Sequence, residues 1–137
     1  MIYAVIDTNV FVSALLTHYP DAATVQVVEA ISLDGICPLY NEAIFAEYEE
    51  VLGRTKFRFP ASSISTILNK VKNTGIATKG IPSSEHFPDP KDMVFYEVAM
   101  SKEDAYLVTG NKKHFPNKPI VVTPAEMVEI LKEHGLL

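Results

Sequence analysis

The chain has 137 residues, 47% hydrophobic and 21% charged, the size and balance of one globular domain with a core of its own. No apolar run reaches the roughly 18 residues of a membrane span. A formal net charge of −5 argues against a non-specific electrostatic grip on nucleic acid, but it is compatible with a nuclease whose acidic centre holds cations.

The opening, MIYAVIDTN, lacks the basic n-region of a signal peptide and runs straight into an apolar strand over 2–6. A cytoplasmic protein is therefore expected. The strand stops at Asp7, and Thr8-Asn9 leads into a second apolar run. This reads as strand, turn and helix, with the helix over 9–16. Carboxylates at the carboxyl ends of buried parallel strands line the ligand crevice of α/β sheets. The plain alternative is that Asn9 caps the helix and Asp7 merely ends the strand.

A helix over 21–33 follows Pro20-Asp21, then a strand over 35–39 carrying the single Cys37, expected to be a small buried hydrophobe. Asn41 opens a helix over 41–53. Ile44, Tyr48, Val51 and Leu52 form its apolar stripe and Glu47 stands on the rim, whereas Glu42, Glu49 and Glu50 read as a solvated face. Arg54, Lys56 and Arg58 behind it read as solvated loop charge. A helix over 60–73 begins near Pro60 and closes at Gly75, with an extended piece over 76–79.

The stretch IPSSEHFPDP is a loop. Asp89 reads as the N-cap of a helix over 91–102, with Pro90 in its first turn. Asp92 opens the face that continues through Phe95, Tyr96 and Ala99. A carboxylate on a buried face must be paired or bind a cation. A strand over 105–109 runs into Thr109-Gly110-Asn111, either a polar strand-end loop or a simple turn. Lys112 and Lys113 follow as candidate phosphate contacts, with solvated loop charge as the plainer reading. A strand over 119–122 and a helix from Pro124 to Gly135 complete the chain. His18, His86, His114 and His134 show no metal-ligand spacing and read as surface residues.

Strands alternating with helices predict an α/β fold, a three-layer α/β/α domain over 1–137 with a mainly parallel sheet. Asp7, Glu47 and Asp92 fall at element ends that such a sheet brings together. Clustered carboxylates raise one another's pKa unless a cation compensates. Oxygen-only ligands suit Mg²⁺ or Mn²⁺.

VIDTNVFVSALL, AEYEEVL, DPKDMVFYEVA and YLVTGNKKHF, in this order and at these spacings, resemble the PIN-domain ribonucleases, as in the toxin components of VapBC-type toxin–antitoxin pairs. The resemblance extends over nearly the whole chain, through TPAEMVEIL. It implies metal binding by Asp7, Glu47 and Asp92, with Asn9 and Thr109 matching polar residues beside the metal and Asp89 matching an extra acid of part of the family. It further implies an RNA substrate, a cognate antitoxin protein and a homodimer. The chain departs from the pattern at Asn111, where the family usually has Asp; its carbonyl oxygen can still ligate but brings no charge. The rival readings are a PIN-like module acting mainly through protein binding and a different metal phosphotransferase. Against the latter, a haloacid-dehalogenase-like enzyme needs Asp-x-Asp where Asp7-Thr8-Asn9 stands. A response-regulator receiver needs an Asp ending its middle strand, and ICPLY has none.

Overall fold

The computed structural model describes residues 1–137. Its elements in chain order are β1 (Ile2–Ile6), α1 (Thr8–Leu16), α2 (Ala23–Ser32), β2 (Ile36–Tyr40), α3 (Glu42–Leu52), α4 (Ala61–Thr74), β3 (Ile76–Ala77), α5 (Pro90–Met100), β4 (Tyr106–Val108), β5 (Val121–Val122) and α6 (Pro124–Glu133). A short 3-10 turn covers Lys112–His114. The five strands form one sheet in the order β3-β2-β1-β4-β5, and every pairing is parallel. The expected mainly parallel sheet is thus parallel throughout.

β1 is central, and both of its faces are covered: Ala4, Val5 and Ile6 are each 0% exposed although alternate residues point to opposite sides. α2 packs on α1, α4, α6 and β2, while α5 lies across β1, β2 and β4 and touches α3. Thirty-one buried residues join in one hydrophobic cluster.

Several helix ends follow local chemistry. The Asn41 side chain accepts from Ile44 N at 2.9 Å and starts α3. Asp89 accepts from Lys91 N at 3.0 Å and starts α5 with Pro90 in its first turn. Thr123 and Glu126 form a reciprocal capping box for α6, and Gly135, at φ 68°, takes the left-handed conformation past its end. Elsewhere the elements are shorter than expected. α2 begins at Ala23 because Pro20 and Asp21 form a turn and no side chain caps the helix. β3 stops at Ala77, and β5 keeps only Val121 and Val122 as paired residues.

The order of the strands creates a crevice at one edge of β1. From β1 the chain moves outward through β2 to β3, then α5 carries it back to β4 on the other side of β1. The carboxyl ends of β1 and β4 therefore diverge into loops that leave in opposite directions, the topological switch at which open α/β sheets bind ligands.

Candidate functional site

Ile6 pairs with Val108, so the next residues off the two strands, Asp7 and Thr109, stand side by side although 102 positions separate them. Asp7 N donates to Val108 O at 2.9 Å and fixes its backbone at the strand end. Thr109 is 0% exposed, and its hydroxyl donates to Asp7 Oδ2 at 2.8 Å. Asn9 Nδ2 donates to the same oxygen at 3.1 Å, while Asn9 Oδ1 accepts from Gly110 N at 3.1 Å. The loop after β4 and the start of α1 are thus stitched together around one carboxylate.

This arrangement corrects the capping reading of Asn9. α1 begins at Thr8, so Asp7 holds the N-cap position, and it makes no side-chain cap bond there. Its carboxylate is turned instead toward Thr109 and Asn9. A helix that forgoes its cap leaves an acid free for other work at a modest stability cost, about 1 kcal/mol.

The two other acids are placed by aromatic packing. Tyr48, 1% exposed, donates its hydroxyl to Ile6 O at 2.5 Å, which pins α3 to the end of β1. Its ring meets Phe11 of α1 edge-on at 5.0 Å and Phe95 of α5 at 6.2 Å. Each candidate acid neighbours one of these rings in sequence: Asp7 precedes Phe11 by one turn, Glu47 adjoins Tyr48, and Asp92 precedes Phe95 by almost one turn. One buried aromatic hub therefore sets the relative positions of three carboxylates that lie far apart in the chain. Glu47 is half-buried, with Oε2 accepting from Thr8 Oγ1 at 2.5 Å, while Glu42, Glu49 and Glu50 are exposed. Glu50 is held by Arg54 through two bonds, at 3.1 and 2.8 Å.

Asp92 is 16% exposed. Burial, aided by the nearby charges of Asp7 and Asp89, pushes its carboxyl up to about 6, with His114 acting in the opposite direction. Burial also raises Asp7 above the usual carboxylate range, and the Glu47 charge adds to that, against the lowering effect of the Thr109 hydroxyl. Asp89 is engaged as the α5 cap and acts on Asp92 through its charge.

Asn111 is fixed through its backbone, whose N–H donates to Thr109 Oγ1 at 3.0 Å, and its side-chain Nδ2 lies 3.0 Å from His114 Nε2. His114 Nδ1 lies 3.6 Å from Asp92 Oδ2. His114 is at the surface as expected, and there it stands between Asn111 and Asp92. Metal-ligand spacing gave no sign of it. A position three residues after Asn111, on a turn tight enough for contact, was the available signal. Lys112 is likewise not free, since its Nζ lies 3.2 Å from Glu126 Oε1 of the α6 capping box. Lys113 is exposed and has no carboxylate partner.

The carboxylates match a hard divalent cation in kind, being all-oxygen donors whose mutual charge is uncompensated. Their side chains do not, however, converge on a point. No group of three or more His, Cys, Asp or Glu residues is close enough together to hold an ion with the side chains as they stand. Asp7 Oδ2 and Glu47 Oε2 are satisfied by protein hydroxyls, and Asn111 faces His114. Among proteins compared with the chain, a family model described as PIN domain matches residues 3–113. No curated protein and no solved structure matches it.

Proposed function

The chain belongs to the PIN-domain family, and from that premise we propose that it is a divalent-metal-dependent endoribonuclease. PIN domains are in general nucleases and in general use divalent metals, which makes the chain a nuclease-type hydrolase at the coarser level. The observation that carries the finer reading is the coupling of Asp7 and Asp92 at the switch crevice. Asp92 lies in the field of Asp7, and Glu47 adds its charge to both, an arrangement that costs stability and makes sense where a cation is to be held.

Asp7, Glu47 and Asp92 would hold the ion, with Asn111 offering a neutral carbonyl oxygen. A bound Mg²⁺ or Mn²⁺ would supply Lewis acidity and neutralise charge building on the phosphate oxygens. Thr109 and Asn9 keep Asp7 in one orientation by donating to a single oxygen. Tyr48 holds α3 against the strand end, so that Glu47 stays beside Thr8. In-line attack of water on phosphorus, with loss of the 3′ oxygen, leaves 5′-phosphate and 3′-hydroxyl ends. The four motifs in their order support a toxin of a VapBC-type pair, a homodimer with a cognate antitoxin protein. A gene neighbour encoding a small DNA-binding protein with a disordered tail would support that assignment.

The test is cleavage of single-stranded RNA with Mn²⁺ and with EDTA, followed by analysis of the product ends. A second reading, a catalytically weak module acting mainly through protein binding, draws on the neutral Asn111 and the unconverged acids. It expects no cleavage under either condition.

Among the α3 acids only Glu47→Gln is expected to weaken Mn²⁺ binding, since Glu47 alone is half-buried at the crevice. Glu50→Gln breaks only the exposed pairing with Arg54 and should titrate like wild type in calorimetry. An equal loss in both variants would remove Glu47 from the site. Asn111→Asp is expected to tighten Mn²⁺ binding, because a carboxylate adds charge and a second oxygen for a hard cation. In EDTA the variant should melt lower than wild type, since a fourth acid at the crevice adds to the repulsion of the cluster, and it should gain more from added Mn²⁺. Identical melting shifts would place residue 111 outside the ligand set.

A further inference from the structure

A groove of about 360 Å³ is lined among others by Glu85, His86, Lys113, His114, Asn117 and Lys118, and its His114 stands next to Asp92. We propose that this groove seats the sugar–phosphate of a substrate nucleotide flanking the scissile bond, with Lys113 and Lys118 as its phosphate contacts. The inference rests on the RNA-cleaving reading above and gives that site a direction, since the strand would leave the acid crevice past His114.

Three observations support it. The first is charge. The chain as a whole is net negative at −5, yet the groove gathers two lysines against one carboxylate. That carboxylate is already engaged: Glu85 Oε2 accepts from the Tyr96 hydroxyl at 2.6 Å, and Oε1 lies 3.9 Å from Lys118 Nζ. A polyanion meets positive potential here beside an acidic centre, so the strand is drawn along the groove rather than repelled at its end.

The second is continuity. His114 lines the groove, and its Nδ1 lies 3.6 Å from Asp92 Oδ2, so the groove and the candidate crevice share one residue. The third is availability. Lys112, one residue away, is drawn off to Glu126 at 3.2 Å, whereas Lys113 has no carboxylate partner and Lys118 has only the distant Glu85. The floor is firm, because Phe115 is buried against Phe87 with ring centroids 6.5 Å apart. A strand bound there would meet a preformed surface and lose less to ordering.

The experiment is binding of a labelled single-stranded RNA oligonucleotide of mixed sequence, followed by fluorescence anisotropy in EDTA so that nothing is cut, across a salt series. Lys113→Gln/Lys118→Gln should weaken binding several-fold and reduce the slope of log affinity against log salt by about 1.4, the value for two lost phosphate contacts on a single strand. Lys70→Gln/Lys132→Gln removes the same charge from α4 and α6 and should leave both quantities near wild type. Melting curves confirm that all proteins are folded. No change in the groove pair, or equal change in both pairs, overturns the proposal. Parallel cleavage assays with Mn²⁺ keep the two readings apart. Groove-dependent binding without cleavage retires the nuclease reading and leaves the groove. Cleavage with the groove pair unimpaired retires the groove and leaves the nuclease.

Discussion

Asp92→Asn is expected to lower RNA cleavage by at least about a hundredfold, the equivalent of about 3 kcal/mol of transition-state stabilisation withdrawn from a metal-assisted step. The same substitution should make the metal-free protein melt higher at neutral pH. Asp92 sits within the fields of Asp7, Asp89 and Glu47, and burial with those charges raises its carboxyl to about 6. The proton-linked sign follows directly. Between the ordinary carboxylate value near 3.8 and about 6, the folded state holds a proton that the unfolded state has released. The Asp92 contribution therefore lowers stability as pH rises through that window, and the full cost remains at pH 7. The asparagine keeps the shape, carries no charge and removes this pH dependence. Melting curves of both proteins in EDTA at pH 4 and pH 7 should differ little at the lower pH and separate at the higher. A variant that cleaves at the wild-type rate would take Asp92 out of the active site.

Removing the metal is the second large effect. EDTA should abolish cleavage, and Mn²⁺ at about a hundred times its Kd should stabilise the folded protein by about 2.7 kcal/mol, read as a rise in Tm. That rise should shrink below about pH 6, where protons compete for Asp92, and Asp7, also raised, should contribute in the same direction. The ion would reverse the pH trend of the metal-free protein: with Mn²⁺ present, stability increases from pH 5 to pH 7.5, and without it the Asp92 term decreases. Thermal melts in a two-by-two design of pH and Mn²⁺ are sufficient. A Tm indifferent to Mn²⁺ at pH 7.5, together with cleavage persisting in EDTA, would dismiss a metal-dependent mechanism.

Element order and fold class are legible from the residues alone, because both depend on local signals. An apolar run of five residues ending at Asp7, the stripe of α3, the Asn41 and Asp89 helix starts, Pro124 and Gly135 each act within a few residues of themselves. Glu47 was separable from Glu49 and Glu50 for the same reason, since helical phase alone decides which acid reaches the rim. That Asp7 forgoes its cap to meet Thr109 emerges with the folded sheet, since the contact spans 102 positions and depends on β4 returning beside β1. The fold alone revealed Tyr48 as the pin between α3 and the end of β1, His114 as the link between Asn111 and Asp92, and the pairing of Lys112 with Glu126. Each of these is a pairing across elements. The sequence supplies the partners, but which donor meets which acceptor is settled by the strand order and the aromatic hub that bring them within reach.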